Sequence, residues 1–567
     1  MKKMKSIIIY ASIMIVVLCY SLFLLSESSG ESSSHNIEEI KEQLKIITKG
    51  HRAFGTKDQE EACRYIESLL IANHINYEIQ GFDQPYVELL NSKDNMIAQI
   101  AAQLNQSRDY VFHGRNILIH LDAKGTDDAV LFVSHYDCKE WGNGAGDNGL
   151  SVIAALNAVF NVEQDELTND IYLLLSDGEE LGMIGATHFV DDNEDLLKNV
   201  KLVVDLEGGM SGSYLLTRTS GLERGSIGLA KEMVSDFSGS SFLDSIFTMA
   251  GYRTDMEPFV DKKIVGMDFL RMETIEAYHN RNDNFGVMKE STMKESAKTI
   301  SEMIVGFGKA DLSNVANRTQ VNYFPVTKET TVVLSYKVVI LLFIVSLIGF
   351  IIFVYRGIKA KKYSSSKWLP AGLSVIGIII AIGVLIFGVT IYHELEYGKY
   401  INLAMNDVQG YQDYMEAGNT SYQLFIINML MATIITCILV WFLLYKKKIR
   451  YEIYTIMVSL FIVFGMISMV WLKGALYVAA IPLFCASIGC IVVNFLPKSK
   501  WMIHILMILG SLIIVGPIAW IIFVGLHNVM TFKATIFAGI FITIVILLTL
   551  SAICVNSDES TVHSLGN

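Results

Sequence analysis

Histidines and carboxylates follow several apolar runs of this sequence, and these are residue types that bind divalent metals. Glu179 and Glu180 come after the run 171–176, and His135 follows the run 129–134. Two adjacent carboxylates at the end of a buried strand are unfavourable unless something pairs with them. The full candidate set is His135, Asp137, Asp147, Glu179, Glu180, Glu207 and His279. Imidazole and carboxylate ligands together favour a divalent-metal site.

The segment that carries these residues alternates predicted strands and helices. Apolar runs predict strands over 129–134, 171–176 and 201–206, and helical spacing predicts helices over 148–160 and 181–190. This alternation predicts an α/β domain with a mostly parallel sheet and flanking helices. Because such sheets bind ligands at the carboxyl ends of their strands, the candidates lie where the fold builds sites.

One position in the candidate set has a competitor. Asp205 lies two residues before Glu207, so both side chains point to the same face of a strand. The strand-end position favours Glu207, but spacing alone leaves the choice open. His113 and His188 also lie in the domain and are interpreted as ordinary, partly exposed histidines.

The composition indicates a membrane protein. The chain has 567 residues, of which 52% are hydrophobic, and its mean hydropathy is +0.41, too apolar for an ordinary soluble protein. A membrane span needs about 20 apolar residues. Runs of this kind predict eight spans, at 7–25, 334–355, 369–392, 424–445, 453–472, 475–496, 502–525 and 534–554.

The distribution of lysine and arginine predicts the orientation. Basic residues cluster before the first span and in the loops after the second, fourth and sixth spans, which all fall on one side if the spans alternate. By the positive-inside rule that side is the cytosol, so both termini are cytosolic and the globular domain is extracellular or lumenal. A cleaved signal peptide is the alternative for 7–25, but the long apolar stretch and the missing small-residue cleavage site favour an uncleaved anchor.

The resulting domain organisation has six parts. We expect a transmembrane anchor at 1–25, a flexible tether at 26–36, an extracytoplasmic domain at 37–320, a linker at 321–333, a membrane domain at 334–555 and a cytosolic tail at 556–567. The net charge of −12 and the absence of a basic patch on the outer domain argue against nucleic-acid binding. The outer domain has two of the seven cysteines, Cys63 and Cys138, and a disulfide between them is left open.

Five short segments together resemble the motifs of a known family. They are His135-Tyr136-Asp137, Gly144 to Gly149, Gly178-Glu179-Glu180, Leu206-Glu207 and Tyr278-His279 through Asp283. Their order and spacing resemble the co-catalytic di-zinc exopeptidases, the family of bacterial leucyl-type aminopeptidases and glutamate carboxypeptidase. With the anchor and the polytopic C-terminus, the chain looks most like the membrane-bound endoplasmic-reticulum metallopeptidase subgroup and its bacterial relatives. The segment 254–259 also resembles a stretch of that subgroup.

The resemblance implies a zinc-aminopeptidase-like fold, two zinc ions and a role for each residue. Asp147 would bridge the ions, one of which also takes His135 and Glu207, and the other Glu180 and His279. Asp137 would orient His135, as metal-bound histidines require. Glu179 would act as general base and proton shuttle. Many family members carry aspartate where this chain has Glu207.

The expected function is therefore a membrane-anchored zinc metallopeptidase that hydrolyses peptides, with aminopeptidase activity favoured among exopeptidases. Acidic residues near His279, namely Glu273, Glu276 and Asp283, are candidates for binding a free amino terminus or are simple surface charges. The alternatives are a catalytically silent receptor or scaffold, a glutaminyl-cyclase-type transferase with one zinc, and a transporter whose function lies in the membrane domain. All positions of the ligand set are filled, which argues against the silent receptor.

Overall fold

The computed structural model describes most of the globular region and much of the membrane region. The described residues are 36–92, 95–210, 212–272, 278–279, 281–327, 330–396, 421–446, 449–496, 499–512, 515, 517–519, 522 and 534–556. The predicted anchor at 1–25, most of the tether and the tail after residue 556 lie outside these residues.

An eight-stranded mixed sheet forms the centre of the globular region. Its strands are β1 (Tyr77–Pro85), β2 (Val111–Leu121), β3 (Ala129–His135), β4 (Asp170–Ser176), β5 (Val200–Glu207), β6 (Tyr214–Thr219), β7 (Ser238–Gly239) and β8 (Val265–Arg271). They lie in the order β1-β2-β4-β3-β5-β8-β6-β7. The four central strands, β4, β3, β5 and β8, are mutually parallel, whereas β1 and β2 pair antiparallel with their neighbours. At the other edge, β6 is antiparallel to β8 and parallel to β7. The predicted α/β class is confirmed.

Helices cover both faces of this sheet. They are α1 (Ile37–Ile47), α2 (Lys57–Ala72), α3 (Tyr86–Leu90), α4 (Asn95–Gln103), α5 (Leu150–Asn161), α6 (Ile184–Asp192), α7 (Glu194–Leu197), α8 (Arg224–Met233), α9 (Ser241–Ala250), α10 (Glu257–Asp261) and α11 (Glu290–Lys309). Alternate residues of β3 explain why its apolar run is uninterrupted: Val130 and Phe132 pack in one core with α5 and α11, while Leu131 and Val133 pack in a second core with α6. A strand buried on both faces needs apolar side chains at every position.

A hairpin connects the globular region to the membrane region. The segment predicted as a linker forms the antiparallel strands β9 (Val321–Thr327) and β10 (Thr330–Ser335), and β10 leads directly into a long apolar helix. The helices of this region are α12 (Tyr336–Lys359), α13 (Ser365–Glu396), α14 (Ser421–Lys446), α15 (Arg450–Trp471), α16 (Leu476–Phe495), α17 (Lys500–Leu512) and α18 (Ala534–Asn556). Within the described residues, five helices are long and apolar enough to cross a membrane, namely α12, α13, α15, α16 and α18.

The globular and membrane regions share one hydrophobic core. Phe242 and Leu243 of α9 and Phe324 of β9 belong to the same buried cluster as the membrane helices. The Phe324 ring stacks on Tyr477 of α16, with 4.7 Å between ring centroids. The two regions are therefore packed against each other through large apolar contacts and are not simply tethered.

Candidate metal centre

The carboxyl ends of the parallel strands bring the predicted ligands together. His135 is the last residue of β3 and Glu207 is the last residue of β5, while Glu180 lies in a single helical turn, Glu179–Leu181, directly after β4. Asp147 lies in the tight turn Ala145–Gly149 that precedes α5, and His279 follows β8. Parallel strands end at the same edge of a sheet, so five residues spread over 145 positions of sequence converge there.

Asp147 stands between two groups of candidate ligands. Its Oδ1 atom lies 3.2 Å from His135 Nε2, and its Oδ2 atom lies 3.0 Å from His279 Nε2. His135 Nε2 is also 3.5 Å from Glu207 Oε2, and His279 Nε2 is 3.4 Å from Glu180 Oε2. The first ligand group is His135, Asp147 and Glu207, and the second is Asp147, Glu180 and His279. The potential donor atoms of each group lie within 4.8 Å of one another. One carboxylate shared by two three-residue groups is an arrangement that can hold a pair of cations.

The unpartnered atoms of the centre fit a metal. His135 Nε2, both oxygens of Asp147, Glu180 Oε1, Glu207 Oε1 and His279 Nε2 are buried, and none has a hydrogen-bond partner among the described residues. These nitrogen and oxygen atoms lie close to one another, but no pair of them meets the geometry of a hydrogen bond. Burying so many polar atoms without partners is costly, and imidazole nitrogens with carboxylate oxygens are the ligands that zinc accepts. The donor set therefore matches the group that the sequence resemblance implies.

Asp137 joins the two sides of the centre. Its backbone oxygen is 3.2 Å from His135 Nδ1, and its carboxylate Oδ1 is 3.3 Å from the same nitrogen. The two carboxylate oxygens also accept the backbone N–H groups of Glu179, at 3.1 Å, and Glu180, at 3.2 Å. The side chain is fully buried. Asp137 thus orients the histidine and holds the turn that presents both glutamates.

Glu179 lies beside the ligand groups but belongs to neither of them. Its side chain is partly exposed, whereas that of Glu180 is buried. Loss of solvation in the cleft raises the pKa of Glu179 well above its ordinary value, and the nearby carboxylates of Glu207 and Glu180 raise the pKa further, against a lowering by His135. A carboxylate with a raised pKa next to a metal-type site is suited to accept and return a proton.

Arg52 is a supporting residue that the sequence patterns did not indicate. Its guanidinium group is fully buried and donates to four backbone carbonyls, those of Ile47 at 3.2 Å, Tyr136 at 2.8 Å, Asn143 at 2.5 Å and Gly144 at 2.9 Å. Three of these carbonyls lie in the segment between His135 and Asp147, and the fourth, that of Ile47, ends α1. The lone signal in the sequence is an arginine just before α2, which has no distinguishing spacing.

Asp283 has a different place from the one considered in the sequence. It is 3% exposed, and its two oxygens accept the backbone N–H groups of Gly146, at 2.6 Å, and Asp147, at 3.1 Å. The carboxylate holds the turn that presents Asp147, so it is not a surface charge. Glu273 and Glu276 lie outside the described residues.

Lys139 contacts the second ligand group. Its ammonium Nζ lies 2.6 Å from Glu180 Oε2 and donates to the Glu180 backbone oxygen at 2.6 Å. Glu180 Oε1 has no hydrogen-bond partner among the described residues. The lysine therefore contacts Glu180 Oε2, the same oxygen that lies 3.4 Å from His279 Nε2. On the opposite side, the Tyr278 ring stacks on His279 with 3.7 Å between ring centroids.

The remaining sequence candidates lie away from the ligand groups. Asp205 is fully buried and its Oδ2 accepts the Met256 N–H at 3.0 Å. His188 stacks on Phe82, and His113 forms an exposed contact with Asp83 at 2.6 Å. Cys63 and Cys138 are both buried and free, so the disulfide left open by the sequence is not formed.

Part of the chain matches a known protein family. Residues 116–304 match the model of Peptidase family M28. The vacuolar membrane protease of Schizosaccharomyces pombe is 25% identical over 270 residues, which are 46% of this chain and 30% of that protein. The vacuolar membrane protease of Saccharomyces cerevisiae is 23% identical over 380 residues, covering 64% of this chain and 38% of that protein. The chain thus spans about a third of the length of these curated relatives.

A solved structure resembles the globular region. The aminopeptidase from Aneurinibacillus sp. strain AM-1 aligns with a TM-score of 0.39 and 13% identity, over 47% of this chain and 93% of that one. The family match over residues 116–304 and the similarity to membrane proteases support a resemblance of the globular region to a co-catalytic zinc exopeptidase family with membrane-bound relatives. The resemblance predicted from the sequence motifs is confirmed.

Proposed function

We propose that this chain is a membrane-anchored, zinc-dependent metallopeptidase, and that it acts as an aminopeptidase. The observation that carries the proposal is the set of buried, unpartnered nitrogen and oxygen atoms around Asp147, which both ligand groups share. His135 and Glu207 would hold one zinc ion with Asp147, and Glu180 and His279 would hold the other. The match to Peptidase family M28 and the names of the curated relatives support peptide hydrolysis.

The protein residues around the zinc ions have separate tasks. Zinc, when bound, supplies Lewis acidity that lowers the pKa of a coordinated water and stabilises negative charge on a carbonyl oxygen. Glu179 accepts a proton at its carboxylate and returns it to the leaving amine. Asp137 fixes the Glu179 backbone through the bond to its N–H group, so the carboxylate stays beside the ligand groups. Glu179 belongs to neither ligand group, so its carboxylate is available for this role.

The proposal is tested with the purified full-length protein and Glu179→Gln. Zinc content is measured beside hydrolysis of peptides with a free or an acetylated amino terminus. We expect cleavage of the free peptides alone, a loss on the order of 10²–10⁴-fold in the variant, and equal zinc content in both proteins. Cleavage of acetylated peptides would refute the aminopeptidase assignment. A folded protein that binds no zinc and cleaves nothing would refute the enzyme.

We further propose that the peptidase domain lies outside the cytosol. Basic residues at the end of α12 and in the loop after it, including Lys359 and Lys361, support a cytosolic position for that loop, and hence an opposite position for the hairpin before α12. Single cysteines at the exposed positions Ser313 and Lys361 test this orientation with a membrane-impermeant thiol reagent. Ser313→Cys should be labelled in intact cells or right-side-out vesicles, and Lys361→Cys only after permeabilisation. The reverse pattern would contradict the orientation.

A further inference from the structure

A cavity lies at the end of the sheet opposite the metal centre. It has a volume of about 300 Å³ and includes Val265, the first residue of β8, in its lining. The centre lies beyond the other end of the same strand, about 20 Å away at 3.3 Å per residue. The cavity is thus a separate site, and none of its residues takes part in the ligand groups.

The cavity combines one carboxylate with two cationic side chains. Glu223, Lys263 and Arg318 all line it. Lys263 and Arg318 are exposed, and neither makes an ion pair within the described part of the chain. A ligand that fits this charge pattern carries an anionic group for the two cations and a cationic group for the carboxylate.

The Glu223 carboxylate has spare capacity to accept hydrogen bonds. The residue is 6% exposed, and its Oε1 atom accepts the Ser220 hydroxyl at 3.1 Å. Its Oε2 atom has no hydrogen-bond partner among the residues that the structure describes. A buried carboxylate with one hydrogen bond is under-satisfied, so a primary ammonium group with three N–H donors would stabilise it.

The cavity lies beside the point where the chain enters the membrane. Gln320 lines the cavity and pairs with Glu223 in an isolated β-bridge, and its carbonyl accepts the N–H of Tyr336, the first residue of α12, at 3.1 Å. The next residue, Lys337, is exposed and also makes no ion pair in the described part of the chain. Cations at the entry of an apolar helix lie at the depth of lipid phosphates.

We propose that this cavity binds a phosphoethanolamine group, with the phosphate on Arg318 and Lys263 and the primary amine on Glu223. A phosphatidylethanolamine headgroup is the source that the position beside α12 favours. A free phosphoethanolamine compound has the same chemistry, and the experiment below separates the two sources.

The test measures lipid adducts of the full-length protein by native mass spectrometry. Phosphatidylethanolamine is compared with phosphatidylcholine, whose quaternary amine has no N–H donor, and with phosphatidylglycerol, which has no amine. We expect phosphatidylethanolamine to bind about tenfold more tightly than either, the value of one charge-assisted hydrogen bond. Glycerophosphoethanolamine, added as a competitor, tests the soluble source: tighter binding of this compound than of the lipid would identify a free ligand and overturn the headgroup assignment.

Three variants distinguish the roles of the side chains. Glu223→Gln keeps the shape and an acceptor oxygen, and should abolish the preference for ethanolamine over choline while leaving phosphate binding. Arg318→Gln, at an exposed position that tolerates change, should weaken all three lipids about tenfold. Lys231→Gln, an exposed lysine of α8 that does not line the cavity, is the matched control and should change nothing. An unchanged headgroup preference in Glu223→Gln, or unchanged binding of all three lipids in Arg318→Gln, would overturn the proposal.

Discussion

Gly474, in the turn between α15 and α16, lies directly against Ser241 at the start of α9. The Ser241 hydroxyl donates to the Gly474 carbonyl at 2.7 Å, and the Gly474 N–H donates to Ser245 Oγ at 3.1 Å. A Cβ atom at position 474 would lie 1.9 Å from the Ser241 carbonyl oxygen. The peptidase and membrane regions therefore touch at a point where only glycine fits.

Gly474→Ala should weaken this contact. Because the added methyl group forces two backbone segments apart, we expect a loss of about 1–3 kcal/mol in stability, seen as a lower Tm of the full-length protein and faster proteolysis between the regions. Gly377→Ala is the matched control, since nothing lies within 4 Å of a Cβ built there. Equal Tm values for the two variants would show that the contact does not contribute to stability.

Arg52→Lys should destabilise the peptidase domain although it keeps the charge. An ammonium group cannot reproduce the planar fork that reaches four carbonyls, so at least two of them lose their donor, at about 1–3 kcal/mol each. We expect a lower Tm and weaker zinc binding, because the loops of His135 and Asp147 lose their support. Arg64→Lys, at an exposed arginine of α2, should leave both unchanged. A zinc affinity of Arg52→Lys equal to that of the wild type would exclude a role for the Arg52 hydrogen bonds in the metal centre.

Removal of single carboxylates should separate the two ligand groups. Asp147→Asn is expected to lose both zinc ions, since both groups share this residue, whereas Glu207→Gln is expected to keep the ion held by Glu180 and His279. Asp205→Asn retains an acceptor for the Met256 N–H and should bind as much zinc as the wild type. Zinc per protein is measured after dialysis by elemental mass spectrometry. If Asp205→Asn bound less zinc than the wild type and Glu207→Gln bound as much as the wild type, Asp205 would replace Glu207 as the assigned ligand.

Asp244 should make stability depend on pH. Burial raises the pKa of this carboxyl from 3.8 to about 7, against hydrogen bonds from Thr219 that lower the pKa. The folded state therefore holds a proton that the unfolded state releases between about pH 4 and 7. The stabilisation from this group is present below about pH 4 and is lost as the pH rises through about 7, with a slope of up to about 1.4 kcal/mol per pH unit.

Asp244→Asn should flatten this part of the profile. The amide oxygen can still accept the Thr219 N–H, which the carboxylate accepts at 2.8 Å, and the variant carries no charge above pH 7. We expect its Tm to exceed that of the wild type at pH 8 and to approach it at pH 5. Asp261→Asn, at an exposed residue of α10, serves as the control. If the Tm of Asp244→Asn changed with pH in parallel with the Tm of the wild type, Asp244 would be excluded as the titrating group.

The membrane helices show how much a local pattern can predict. Described helices lie at each predicted span after residue 334, and five of them meet the length and composition of a span. A long apolar run has few alternatives to a membrane-spanning helix, because every backbone polar group must be satisfied within the helix. The hairpin of β9 and β10 was not predicted from the sequence, because a strand forms only where a partner strand pairs with it, as these two do with each other.

The sequence by itself determined the class of site and its ligand candidates. Strands that are apolar at every position must be buried on both faces, and a parallel sheet brings the residues after such strands to one edge. His135 and Glu180 could therefore be named as candidates from their positions alone. Only the tertiary structure showed that Arg52 and Asp283 hold the loops around the ligands. It also placed Glu207 rather than Asp205 beside His135, and Ser241 against Gly474. These depend on backbone carbonyls, N–H groups and close approaches between distant segments, and such groups are the same at every residue and leave no pattern in the sequence.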